Sequence, residues 1–189
     1  MMPKEMKKKT VLNMMPTKIR LYGVVNDSIV DGPGLRYTIF TQGCPHHCPS
    51  CHNPQSWDEK GGYEEDIEKI VQEIINNSLL DGVTLSGGEP FMQCLPLITL
   101  LKQLKQQTSL HIMIYSGYTY EEILQLGELA LTLLSLCDTL VDGRFIQSLK
   151  SLELLYKGSS NQRIIDVQKS LKNGYVCKQK VSEYGEFVE

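Results

Sequence analysis

The sequence predicts one α/β domain, built as a partial (β/α) barrel or an open curved sheet that is mostly parallel. Three observations carry that expectation. Short apolar stretches alternate with segments of helical periodicity, and each predicted strand runs into a glycine-bearing loop. The 189 residues are too few for the eight units of a closed barrel, so about five or six strands are expected.

The elements follow in order. Residues 18–25 (KIRLYGVV) alternate as a strand does, and residues 35–42 (LRYTIFTQ) do so more strongly, with β-branched and aromatic side chains. Asp31-Gly32-Pro33-Gly34 between them reads as a tight turn, which makes the two a hairpin feeding the loop at 43–57. Residues 63–77 predict a helix, because Ile67, Ile70, Val71, Ile74 and Ile75 recur at i, i+3, i+4, i+7 and i+8. Glu64, Glu65 and Asp66 would form its solvated first turn, at the positive end of the macrodipole.

A short strand at 82–85 leads into Ser86-Gly87-Gly88-Glu89-Pro90, and a helix at 94–107 carries Leu97, Leu100, Leu101 and Leu104 on one face. A strand at 111–115 ends in Ser116-Gly117, helices are predicted at 118–126 and 129–136, and a strand at 139–141 ends in Asp142-Gly143. Beyond residue 145 the pattern weakens. Residues 154–157 and 164–167 read as short strands or helical turns on either side of a polar loop.

Composition narrows the function classes. At 41% hydrophobic residues the chain can bury one real core. It contains neither a run of eighteen apolar residues nor the apolar segment of a signal peptide, so a cytoplasmic protein with no membrane association is expected. A net charge of −3 gives no reason to expect nucleic acid as a partner. In the first twenty residues Lys4, Lys7, Lys8, Lys9, Lys18 and Arg20 face only Glu5. Residues 1–17 are therefore read as a basic, flexible extension and residues 18–189 as the domain proper.

Six cysteines raise the question of disulfides, but that framework suits small secreted chains with little core. Cys94, Cys137 and Cys177 stand alone and read as ordinary thiols. Cys44, Cys48 and Cys51 form a C-x3-C-x2-C on one proline-punctuated loop. Three thiolates so spaced can wrap one face of a cubane iron–sulfur cluster, one ligand short of the four that would close it. Two rival readings use the same residues. With His46, His47 or His52 the thiols would make a Cys3His zinc site, although zinc patterns usually pair two separated knuckles. Cys48, Cys51 and His52 also spell the C-x-x-C-H of c-type haem attachment, which belongs outside the cytoplasm and leaves Cys44 without a purpose. The cluster fits best.

Placed after VDGPGLR (30–36) and before a strand ending in SGGEP (86–90), this loop resembles that of the radical S-adenosylmethionine enzymes, in particular the small glycyl-radical activating enzymes. The resemblance implies a radical S-adenosylmethionine fold and a [4Fe–4S] cluster ligated by Cys44, Cys48 and Cys51. The open iron would be chelated by the amino and carboxylate groups of S-adenosylmethionine. One electron would then split the sulfonium into methionine and a 5′-deoxyadenosyl radical, with no catalytic side chain beyond the cluster and the bound cofactor. Ser86, Gly87, Gly88 and Glu89 match the motif that holds the methionyl ammonium, with Glu89 adding charge or ordering the loop. Ser50, Cys51 and His52 match the adenine contact. Many members carry an aromatic residue before the third cysteine; Ser50 in that place leaves only backbone contacts, with Tyr115, Tyr118 and Tyr120 as aromatic substitutes.

Val141-Asp142-Gly143-Arg144-Phe145, followed by Gly158-Ser159-Ser160-Asn161-Gln162-Arg163, resembles the anaerobic ribonucleoside-triphosphate reductase activating proteins, and the likeness runs over residues 19–166. That implies a protein substrate, a glycine of the anaerobic reductase, with residues 142–145 and 158–163 bordering the opening its loop enters. It also implies flavodoxin or ferredoxin as electron donor, and leaves open a homodimer or a complex with the reductase. VDGPG and the Cys51-His52-Asn53 run are shared with activators of pyruvate formate-lyase, the nearest alternative. A small-molecule radical enzyme of the deazaguanine synthase type and a non-catalytic zinc or iron–sulfur module are the others.

Overall fold

Residues 15–188 are described by the computed structural model; residues 1–14, most of the expected basic extension, lie outside the described residues. The first strand, β1 (Lys18–Ser28), turns at Gly32 and Gly34 into β2 (Arg36–Thr41), antiparallel to it. Gly34 sits at φ +71°, and a Cβ there would strike the Asp81 carboxylate, which accepts the Leu35 N–H at 2.7 Å. The predicted hairpin is therefore present, and glycine is required in it.

The helix expected over 63–77 begins four residues late. Tyr63–Asp66 is a strand, β3, paired antiparallel with Lys18–Leu21, and the helix α1 is Ile67–Asn76. The apolar 3.6-residue repeat starts only at Ile67, whereas the run before it can satisfy its backbone on the open edge of β1. The acidic residues are thus on a sheet edge, where Glu64 faces Arg20 at 3.5 Å and Glu65 reaches Lys69 at 2.7 Å.

The remaining elements are β4 (Gly82–Gly87), α2 (Cys94–Gln107), β5 (His111–Ser116), α3 (Tyr120–Ile123), α4 (Glu128–Ser135), β6 (Thr139–Asp142), β7 (Arg163–Asp166) and α5 (Val167–Asn173). Three short strands end the chain: β8 (Cys177–Lys178), β9 (Lys180–Val181) and β10 (Phe187–Val188). α3 carries a capping box between Thr119 and Glu122. Residues 154–157 form no regular element, whereas the short element expected at 164–167 is the strand β7, which α5 follows directly.

One eight-stranded sheet runs in the order β3-β1-β2-β4-β5-β6-β7-β8. It is parallel through β2, β4, β5 and β6 and antiparallel outside them. The expectation of a mostly parallel sheet thus holds for the centre, where helices make the crossovers. Both flanks reverse: β1 joins β2, and β6 joins β7, without a crossover helix, and the edge strands β3 and β8 pair antiparallel with their neighbours. Eight strands rather than five or six result from the short β3 and β8 edges.

Alternation along the strands separates two faces. Tyr37, Ile39, Val83, Leu85, Ile112 and Ile114 point to the helices and form the main core with the leucines of α2 and α4. The opposite face carries Arg36, Thr38 and Phe40 on β2, Thr84 and Ser86 on β4, and Met113 and Tyr115 on β5. There a second, smaller cluster of Met113, Val141 and Ile164 packs under Tyr156, Val181 and Phe187. Among the described residues no helix is long and apolar enough to cross a membrane.

Candidate functional site

Parallel register sets the carboxyl ends of the central strands level with one another, since Thr41 lies beside Gly87 and Ser116 beside Asp142. This is where α/β sheets gather their ligands. The loops leaving those ends surround a cavity of about 410 Å³. Cys44, Cys48 and Cys51 line it together with Ser86, Gly87 and Gly88, so the structure brings the two predicted motifs onto one space.

The cysteine loop is closed at its neck. Gly43 N–H donates to Ser56 O at 2.8 Å and Cys44 N–H to Trp57 O at 3.1 Å, while the Gln42 amide bonds Gln55 O and Asp58 O from below. Inside the neck His47 and Ser50 adopt left-handed backbone angles, φ +47° and +60°. Two such residues in four positions curl the chain tightly enough for all three thiols to face the same cavity. The His47 ring stacks on Trp57 at 4.8 Å, and the Cys51 sulfur accepts the Asn53 N–H at 3.4 Å. Burial pushes the Cys44 and Cys48 thiols above their ordinary range, against backbone N–H groups of His46 at Cys44 and of Phe145 at Cys48. Iron must displace those protons, so loading is coupled to pH.

The glycines of SGGE line the cavity and also pack the strand end against the cysteine loop. A Cβ at Gly87 would run into the Thr41 and Phe40 backbone, and one at Gly88 into the Gly43 carbonyl. Both are therefore needed to press the end of β4 against the start of the cysteine loop, with Gly88 N–H bonded to Thr41 O at 2.8 Å and Glu89 N–H to Gly43 O at 2.7 Å. Glu89 is completely buried and does not line the cavity. Its carboxylate accepts from the Ser116 hydroxyl at 2.9 and 3.1 Å, Gly117 N–H at 2.8 Å, Phe91 N–H at 3.1 Å and His46 Nε2 at 2.8 Å. Of the two roles implied for Glu89, this bonding is that of a residue that orders the loop.

Ser50 is exposed and outside the cavity lining, while His52 lines it, 5.9 Å from the Phe145 ring. Of the three tyrosines considered for stacking, Tyr115 lines the cavity, Tyr118 packs edge-on against His46 at 4.4 Å, and Tyr120 is buried in the core. Tyr156 lines the cavity too; it falls in the stretch where the sequence pattern is weakest, and nothing local marks it.

The two late motifs divide between lining and bracing. Gly143, Phe145, Gly158 and Gln162 line the cavity. The Gln162 side chain accepts from Gly158 N–H at 2.8 Å and donates to Gly143 O at 2.8 Å, and Asn161 donates to Arg144 O at 2.9 Å. Asp142 and Arg163 instead pair with each other, and Arg163 also holds Glu121 at 2.6 Å. The GSSNQR segment is thus a brace that fixes the loop after β6.

The residues suit an iron–sulfur cluster. Three thiols on one curled loop face a cavity with room beyond them, and each lies near a backbone N–H of the kind that stabilises cluster sulfur. Two of the three histidines of the zinc reading are otherwise engaged, His46 by Glu89 and His47 by Trp57, while His52 lines the cavity. Among the described residues no three His, Cys, Asp or Glu side chains gather closely enough to hold a single ion.

Comparison with known proteins agrees. Residues 30–165 match the family described as 4Fe-4S single cluster domain. Over 143 residues, 71% of this chain and 90% of its counterpart, the sequence is 36% identical to the anaerobic ribonucleoside-triphosphate reductase-activating protein of Escherichia coli (strain K12). The protein of the same name in Haemophilus influenzae is 32% identical over 145 residues, covering 72% and 90%. The pyruvate formate-lyase-activating enzyme of Clostridium pasteurianum is 38% identical over 120 residues, but these are 59% of this chain and 50% of that enzyme. An iron–sulfur activating enzyme of the radical S-adenosylmethionine type is the class to which these likenesses point. Within it, the chain belongs to the family of the anaerobic ribonucleoside-triphosphate reductase-activating proteins.

Proposed function

We propose that this chain activates an anaerobic ribonucleoside-triphosphate reductase by placing a radical on one of its glycines. The observation that carries the reading is the shared cavity: the three thiols, the SGGE strand end and the braced 143–145 and 158–162 loops all open onto it. A [4Fe–4S] cluster on Cys44, Cys48 and Cys51, reduced by a flavodoxin or ferredoxin, would supply one electron to S-adenosylmethionine, releasing methionine and a 5′-deoxyadenosyl radical that takes hydrogen from the glycine.

The chain's own residues place and shield the reactants. Ser86, Gly87 and Gly88 present strand-end backbone beside the thiols, where a methionyl ammonium finds carbonyl acceptors. Cys51, His52 and the neighbouring Phe145 ring border the adenine side, with Ser50 able to offer only backbone. Phe40, Tyr115 and Tyr156 form an apolar wall that keeps water from a radical. Gly143 and Gly158 leave room at the rim for a polypeptide to enter.

The longer coverage of the reductase activators, and the GSSNQR brace, favour the reductase over pyruvate formate-lyase as partner. Anaerobic reconstitution followed by mixing with each candidate partner tests this by electron paramagnetic resonance. The expected outcome is a glycyl radical on the reductase and 5′-deoxyadenosine in solution, both abolished in Cys48→Ala and retained in Cys94→Ala. A signal on pyruvate formate-lyase alone would overturn the choice of partner, and no 5′-deoxyadenosine at all would overturn the enzyme reading.

A further inference from the structure

His46 lies between two of the thiols and is not required by the C-x3-C-x2-C pattern. Its side chain is only 3% exposed and that of Glu89 is fully buried, with Nε2 and Oε2 2.8 Å apart. Every other partner of the Glu89 carboxylate is a donor: one hydroxyl and two backbone N–H groups. The imidazole must therefore hold its hydrogen on Nε2 and donate as well. The ring is wedged from two further sides. Tyr118 meets it edge-on, and a Cβ on Gly117 would collide with Cδ2. At the other end of the same residue, hydrogen bonding from the His46 backbone opposes the burial that raises the Cys44 thiol.

We infer that His46 is a positioning residue, anchored through Glu89 to the ends of β4 and β5, which holds the cysteine loop so that its backbone N–H groups address the sulfur of Cys44. The inference rests on the proposed cluster, and it gives the buried carboxylate a role toward the thiol loop instead of toward the bound cofactor. Groups that orient ligands are worth about 10- to 100-fold in affinity or activity, and hydrogen bonds to cluster sulfur help set the reduction potential. An N–H directed at sulfur favours the more negative, reduced state, so loosening the loop lowers the potential.

The test compares wild type, His46→Gln and His46→Leu after anaerobic reconstitution. Iron and sulfide content, the midpoint potential and the resonance spectrum of the reduced cluster are read, with apo-protein circular dichroism as the folding control. Gln can place an amide N–H where Nε2 lies, so His46→Gln is expected to keep the wild-type potential and line shape. His46→Leu fills the space without a donor; it should shift the potential downward, alter the line shape and slow 5′-deoxyadenosine formation about 10- to 100-fold. A Leu variant that folds but retains no iron, beside a Gln variant that does, supports the anchor equally. Identical spectra for all three proteins, or a Gln variant that behaves as Leu does, overturn it. Wild-type protein that binds no four-iron cluster would instead strike the proposed function, so the two failures are distinct.

Discussion

Glu89 and Arg36 show two ways of burying a charge. Glu89 is surrounded by donors near the cavity, whereas Arg36, 1% exposed, sits at the other end of the sheet among acceptors. Its guanidinium donates to Thr84 Oγ1 at 2.6 Å and to the carbonyls of Pro33, Val83 and His111. Burial without a paired carboxylate lowers its pKa to about 10. His111 Nδ1 lies 3.3 Å from the same guanidinium, which can only donate, so Nδ1 is an acceptor and Nε2 carries the hydrogen toward Thr139 at 3.0 Å. Burial, then the charge of Arg36, lower the His111 pKa to about 4, with Asp138 opposing and Lys105 assisting. A histidine neutral in the fold and titrating near 6.5 when unfolded stabilises fully above pH 6.5. That contribution is lost as pH falls from 6.5 toward 4. Denaturant unfolding of the apo-protein should therefore lose on the order of a few kcal/mol across this window, and His111→Gln should flatten the loss. An equally steep decline in the variant would assign the acid sensitivity elsewhere.

The C-terminal strands behave as a unit. β9 and β10 pair with each other apart from the main sheet, and Phe187 reaches over to His111 at 5.5 Å and Tyr156 at 6.3 Å. Tyr156, whose hydroxyl donates to Gly185 O at 2.8 Å, lines the cavity on its other side. The hairpin thereby backs the cavity wall and covers one side of His111. It lies beyond residues 30–165, the span matched to the family, so this backing is added by the chain's last segment. Phe187→Ala should lower apo-protein stability by roughly 1–3 kcal/mol and raise the His111 pKa by admitting water, measurable as a thermal melt and an imidazole titration by NMR. No movement of His111 in the variant would show that the hairpin does not shield it.

Taken together, the molecule holds a finished scaffold and a thiol loop whose buried protons must leave when metal enters. The unfolded chain holds no preformed site, so a cluster built on the folded loop would add stability by mass action. Anaerobic reconstitution should raise the melting temperature of wild-type protein by several degrees, more at pH 8 than at pH 6.5, because the Cys44 and Cys48 thiols are held above their ordinary pKa by burial. Cys44→Ala should melt at the same temperature with and without iron, and a rise in that variant would place the stabilising iron elsewhere.

Much of this was legible in the chain. The C-x3-C-x2-C, the SGGE strand end and the apolar repeats of α1 and α2 are local patterns, and local patterns determine local structure. The α2 boundaries and the hairpin at residues 31–34 follow from side-chain period and turn chemistry alone. Three features were decided only by tertiary structure. Tyr63–Asp66 became an edge strand because β1 offered it a partner, although its acids also suit the first turn of a helix. The glycines of SGGE pack against residues 40–43, a contact distant in sequence. His46 gained its role from Glu89, whose carboxylate is held by groups from β5 and the turn after β4. Sequence spacing shows which residues can share a loop, but a buried polar group is satisfied by whatever the fold brings within three ångströms.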